Sequence, residues 1–403
     1  MNGLNSFSLR SLNEGYNLSD AQDIRLGSST ITALYYGSTL LWPLKRDYSK
    51  EYLTIEAVDN SVLVQFIAYA TSGMSVSKDI QYSKDKSNWT TVSFGPPENI
   101  PGVGLDKGEK LYLKGDNLTY SDYSDADNTQ FYHCNIKITG DNSNTKLYGN
   151  IMSLLYADNF ANQTTLYNRC TFWSLFGSSK ALTDASNLIL PATTLSEKCY
   201  ESMFGYCSSL TAIPKLPATT LAPRCYSGMF QNCTSLIETM QELPATTLAE
   251  ECYAYMFNEC TSLRLHPDLP ATTLEPGCYA YMFSNTNITA GPELPATTLA
   301  EECYAFMFNN CASMWTAPDL PATTLAPSCY WGMFKGCSLL TYIKCLGYTS
   351  GDNTGANDKP MIYYASEWVN GVSTTGTFIK NPNMTWPTGI SGIPDGWKVE
   401  DAN

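Results

Sequence analysis

The chain has 403 residues, 43% of them hydrophobic and 15% charged, and carries a formal net charge of −14. That is ordinary globular composition with room for two or three domains. The acidic balance offers no clustered Lys and Arg to meet phosphates, which argues against a nucleic-acid surface; no apolar run reaches the roughly 18 residues of a membrane span, so no membrane insertion is expected.

Residues 1–45 read as a small separate element. The opening Met1-Asn2-Gly3-Leu4-Asn5-Ser6 has neither the basic start nor the apolar stretch of a signal peptide. Further on, 24–27 and 31–43 are β-prone, and 28–30 would turn one strand back on the other. A two-stranded ribbon is marginal alone, so its apolar face, with Leu26, Ile31, Tyr35, Leu41 and Trp42, needs a partner. The next domain can supply that partner, and so can another protein.

From 46 to 150 the signals are strands, at 52–57, 62–70, 80–82, 89–94, 110–114 and 131–139, separated by Asn, Asp, Gly and Lys turns. The expectation is a small β-sandwich that spaces and orients the repeats beyond it.

Between 151 and 345 one phrase recurs. Its opening leucine falls at Leu190, Leu216, Leu243, Leu269, Leu294 and Leu320, in steps of 26, 27, 26, 25 and 26 residues, a period that predicts a solenoid. Within each unit the Ala-Thr-Thr-Leu stretch suits a brief strand. The run typified by 250–260 predicts a helix, because Cys252, Met256 and Cys260 fall at i, i+4 and i+8, widened by Tyr253 and Phe257. Glu197, Pro223, Glu250, Pro276, Glu301 and Pro327 share the column that would open this helix, where proline loses no N–H and a carboxylate meets the macrodipole. One unit cannot bury its own stripe, so stability must come from stacking the tyrosine column 200/226/253/279/304/330 and the phenylalanine column 204/230/257/283/308/334. Gln163 to Leu166, Cys170 and Phe172 to Phe176 form a degenerate first unit. At the other end, 346–403 loses the period, gains Trp368, Trp386 and Trp397, and is expected to close the array with strands.

The candidate chemistry is sparse. Fourteen cysteines include five pairs eight apart, about 12 Å along a helix axis. That is too far for a bridge within a unit, so buried free thiols acting as small hydrophobes are expected. No Cys-x-x-Cys occurs, and His133 and His266 have no motif around them, so neither a metal site, a cofactor nor a catalytic histidine is expected. The pairs Glu250/Glu251 and Glu301/Glu302 could mimic a glycosidase pair, but they sit where the macrodipole already accounts for them. Asp122, Asp125 and Asp127 fit no calcium loop and read as solvated. At about 100° per residue, Tyr255 projects outside the apolar arc. Its column continues with Tyr281 and Phe306, and Trp331 lies beside the last member, Gly332. This row suits glycan stacking or a protein interface; neighbouring elements or a partner subunit covering it is the plainer alternative.

The phrase Thr-Ser-Leu-x-x-x-Pro-x-Leu-Pro-Ala-Thr-Thr-Leu-x-x-x-Cys-Tyr-x-x-Met-Phe-x-x-Cys resembles the BspA-like branch of the leucine-rich repeats, found in surface proteins of gut bacteria and in their phages. The pattern Leu-Gly-x-x-x-Ile-x-x-x-Tyr-x-Gly-Ser-x-x-x-Trp over 26–42 resembles N-terminal segments of phage tail and virion-surface proteins. The fold expected is α+β: a β-hairpin and β-sandwich, a leucine-rich-repeat solenoid, and a C-terminal β cap. The resemblance implies recognition or attachment rather than catalysis. The expectation is a virion fibre or decoration protein, homo-oligomeric, held to other virion proteins by residues 1–45 and binding host-surface glycan or protein. The alternative is a bacterial cell-surface adhesin, which the missing leader disfavours.

Overall fold

The computed structural model describes residues 47–71, 76–123, 130–347 and 362–402, together with the backbone of four short strands between 24 and 42. Two compact units emerge, Met1–Tyr48 and Ser49–Asn403. In the first, β1 (Ile24–Leu26) pairs antiparallel with β2 (Ser29–Ile31), and β3 (Leu34–Tyr36) with β4 (Thr39–Trp42). The expected single ribbon is thus two hairpins, with the stretch 31–43 contributing to β2, β3 and β4.

The second unit opens with nine strands: β5 (Leu53–Ala57), β6 (Val62–Ala70), β7 (Asp79–Ser83), β8 (Thr90–Ser93), β9 (Gly102–Leu105), β10 (Lys110–Lys114), β11 (Ser121–Tyr123), β12 (Phe131–Thr139) and β13 (Thr145–Asn150). A one-turn helix, α1 (Ser153–Tyr156), comes next, and then β14 (Leu182–Ile189). They form two open sheets, ordered β14-β13-β5-β10-β7-β8 and β11-β12-β6-β9. Alternation explains the faces: Leu53, Ile55, Leu111 and Leu113 of the first sheet and Val64, Phe66, Ile136 and Ile138 of the second are all buried in one core. β9 carries no strand signal in the sequence because Gly102 and Gly104 lower its propensity.

The repeats grow out of the larger sheet. β14 pairs parallel with β13, and the succeeding units continue in parallel single bridges, as in Thr165↔Thr194, Thr194↔Thr220, Thr220↔Thr247 and Thr247↔Thr273. At the far end β15 (Tyr342–Cys345), β16 (Thr377–Lys380) and β17 (Lys398–Asp401) form a parallel three-stranded sheet, with a second one-turn helix, α2 (Ile362–Ala365), between β15 and β16.

The run expected as a helix in each repeat is a chain of turns. In 251–260 the amides of Cys252, Ala254, Met256, Asn258 and Cys260 donate to carbonyls three residues back, at 3.0–3.3 Å. The alternate amides leave the repeat: Glu251, Tyr253, Tyr255, Phe257 and Glu259 donate to Pro276, Cys278, Ala280, Met282 and Ser284 of the next, at 2.8–3.0 Å. Every fourth residue is left-handed, with φ 47° at Glu251, 59° at Tyr255 and 60° at Glu259. An α-helix would send each amide to the residue four back and could not hold three left-handed residues.

The distance between repeats also excludes a helix. Rings in the tyrosine and phenylalanine columns stack at 5.6–6.2 Å between centroids, whereas neighbouring helices need about 8–10 Å. The expected α+β leucine-rich-repeat solenoid is therefore overturned. The fold is β-rich with open sheets, and α-helix among the described residues is confined to α1 and α2.

The macrodipole account of the Glu/Pro column falls with the helix. That column supplies carbonyls instead: Pro223 accepts from Lys198, Glu250 from Arg224 and Pro276 from Glu251. Proline is tolerated there because the position contributes an acceptor, not a donor.

The ends of the stack are closed by aromatics. Tyr120 stacks on Phe172, and Phe172 on Tyr200. At the other end an irregular turn run continues the pattern, with Tyr330 donating to Tyr364 and Phe334 to Trp368. Trp368 then packs on both Tyr330 and Phe334 and is covered by Trp386.

Because Phe257 is fully buried between Phe230 and Phe283, Phe257→Ala should destabilise the protein by about 3–5 kcal/mol. Urea unfolding followed by far-ultraviolet circular dichroism measures this, and the native spectrum should lack the paired negative bands of helix.

Candidate functional site

The left-handed residues of the six repeats line up from one repeat to the next. One ridge runs Lys198, Arg224, Glu251, Gly277, Glu302, Ser328; the next Ser202, Gly228, Tyr255, Tyr281, Phe306, Gly332; the third Tyr206, Asn232, Glu259, Asn285, Asn310, Gly336. Together they make a face with aromatic rings at its centre.

The structure brings Tyr255, Tyr281, Phe306 and Trp331 into one continuous row. Tyr255 stacks on Tyr281 at 4.7 Å, Tyr281 on Phe306 at 4.7 Å, and Phe306 meets Trp331 edge-on at 4.8 Å. Tyr255 and Trp331 are 38% and 39% exposed, and the rings of Tyr281 and Phe306 rest on Ala254, Ala280 and Ala305. The Phe306 ring leans toward the following repeat: a Cβ on Gly332 would lie 2.3 Å from it. Glycine there makes room for the row to end. The consequence is specific, since Tyr281 in the middle is stacked by both Tyr255 and Phe306.

Amide ladders border the row on one side. Gln231 donates to Asn258 (3.1 Å), Asn309 to the Lys335 carbonyl (3.1 Å) and Asn310 to Asn285 (3.1 Å), while Asn232 donates to Glu259. Charges border it on the other: Arg224 pairs with Glu201 at 3.0 Å and Glu251 at 3.4 Å. Burial, and then Glu251, push the Tyr255 hydroxyl above its usual range, so it stays protonated near neutrality.

The remaining candidates separate. Leu26, Ile31, Tyr35, Leu41 and Trp42 lie in the four short strands; their side chains fall outside the described residues, as do Asp125 and Asp127. Asp122 is engaged by Arg169 at 2.8 Å. All fourteen cysteines are free and buried, and burial pushes thiols such as Cys199 and Cys207 up to about 12, which suppresses thiolate chemistry. Cys207, Cys233, Cys260, Cys311 and Cys337 each donate to a phenylalanine carbonyl of the preceding repeat. Thr286, standing in that column, donates to the Phe283 carbonyl of its own repeat and also meets the Cys311 sulfur of the next at 3.3 Å. Among the described residues no group of three or more His, Cys, Asp or Glu is placed to hold a metal ion. No family model, curated protein or solved structure matches the chain.

His133, which has no motif around it in the sequence, packs among aromatic rings. It sits on β12, stacked on Tyr69 at 4.8 Å and flanked by Phe131 and by Trp173 of the first repeat. Strand alternation carries the signal: Phe131 and His133 share a face of β12. Desolvation lowers its pKa to about 4, so the unfolded chain binds this proton below about pH 6.5 while the folded one does not until about pH 4. Stability from this group is full above about pH 6.5 and falls by up to about 3 kcal/mol on acidification toward pH 4. His133→Phe should flatten the melting temperature against pH across that window.

Proposed function

We propose that this chain is a non-catalytic attachment protein of a phage virion, a fibre or decoration protein, and that it acts as a homo-oligomer. Its BspA-like repeats present the ridged outer face to glycan or protein on the host surface, while residues 1–45 dock onto other virion proteins. The observation that carries the reading is the outward row Tyr255, Tyr281, Phe306 and Trp331, held at fixed spacing by the hydrogen-bonded stack beneath it. Such a row supplies contact area at little entropic cost. The separate small unit Met1–Tyr48 suits an anchor, since its short hairpins need a partner to cover them.

Immunoelectron microscopy tests this on phage particles and bacterial cells from the culture that carries the gene, with one antibody against residues 1–45 and another against the last repeats. The expected result is repeats labelled on intact virions with residues 1–45 masked. Labelling of bacterial cells and of no particle would overturn the virion assignment in favour of a cell-surface adhesin.

A further inference from the structure

The aromatic row has two unlike ends. At Gly332 it is closed by the leaning Phe306 ring and the edge-on Trp331. At the other end it stops at Tyr255, because the same position one repeat earlier is Gly228. The two repeats are in register there, Gly228 donating to the Ala254 carbonyl at 2.8 Å. The atoms nearest a Cβ on Gly228 would be those of Ser202 and Gln231, at 3.1 and 3.4 Å. Tyr255 therefore has a ring partner on the Tyr281 side, stands 38% exposed, and on the other side has glycine as the matching residue of the preceding repeat.

The left-handed positions four residues to either side of Gly228 are polar and planar: Arg224, paired with Glu251, and Asn232, with Gln231 beside Gly228 itself. Arg224 is already matched by two carboxylates, Glu201 and Glu251. An incoming anion would gain no free cation and would meet acidic neighbours.

We infer that the Gly228 end of the row is a subsite for a single neutral pyranose unit, its C–H face on the Tyr255 ring and its hydroxyls bonded to Arg224, Glu251, Gln231 and Asn232. The inference rests on the attachment reading and sharpens it: one ring face binds the sugar, and the interior rings brace it.

The test uses the full chain and saturation-transfer-difference NMR with methyl glycosides of glucose, galactose and N-acetylglucosamine, and methyl glucuronide as the anionic probe. At least one neutral glycoside should receive transfer at its ring C–H protons, and the glucuronide should bind more weakly. Tyr255→Ala should weaken the neutral glycoside about tenfold, the scale of one lost ring contact. Gly228→Asn keeps the left-handed conformation, which asparagine tolerates, and adds a side chain there, so it should abolish transfer while the melting temperature holds. Trp315→Ala, at an exposed ring outside the row, should leave binding within about twofold. Absence of transfer to all three neutral glycosides at millimolar concentration would overturn the proposal, and so would wild-type binding by the Gly228→Asn variant.

Flow cytometry of labelled protein on host cells separates the two readings. Equal cell binding by wild type and Gly228→Asn contradicts the subsite and leaves attachment standing. Glycoside binding by a wild type that binds no cells sinks attachment and leaves the subsite.

Discussion

Backbone donors decide this architecture. In each repeat the turn run bonds half of its amides to itself and sends the alternate half across to the next repeat. Because a buried amide left unpaired costs about 1–3 kcal/mol, no turn run can be completed by its own sequence alone. Each needs its neighbour in register, which is why the tyrosine, phenylalanine and cysteine columns line up without a helix to carry them. The left-handed residue at every fourth position makes the alternation possible, since it reverses the chain before a helical turn can propagate.

Much of the array is legible in the sequence. The period places Tyr200 to Tyr330 and Phe204 to Phe334 in single columns, and they stack as such. The turn run passes for a helix for a simple reason. Over nine residues such as 252–260, a repeat of four and a repeat of 3.6 differ by about 80° in total, less than the width of an apolar stripe. What distinguishes them is the set of three left-handed columns, where Gly228, Gly277, Gly332, Asn232, Asn285 and Asn310 all have positive φ. Gly and Asn recurring every fourth residue is a poor helix and a good chain of turns. A helical wheel puts the row Tyr255, Tyr281, Phe306 outside although no helix exists, and it lies outside because those residues are left-handed.

The same geometry governs what the surface can do. Exposed rings on a helix or strand usually offer a face, but here repeats pack so closely that the rings at 4.7 Å cover one another. The row braces the face more than it binds through it, and chemistry shifts to its open end at Gly228. Glycine at Gly332 closes one end of the row by accepting a leaning ring, and glycine at Gly228 opens the other by supplying none.

Cross-hydrogen-bond scalar couplings in the perdeuterated protein test the central claim most directly. Alternate donation predicts a coupling from the Tyr226 amide nitrogen to the Cys252 carbonyl carbon, one repeat onward. A coupling from Tyr226 to Ala222, four residues back, would show an α-helix and contradict the account.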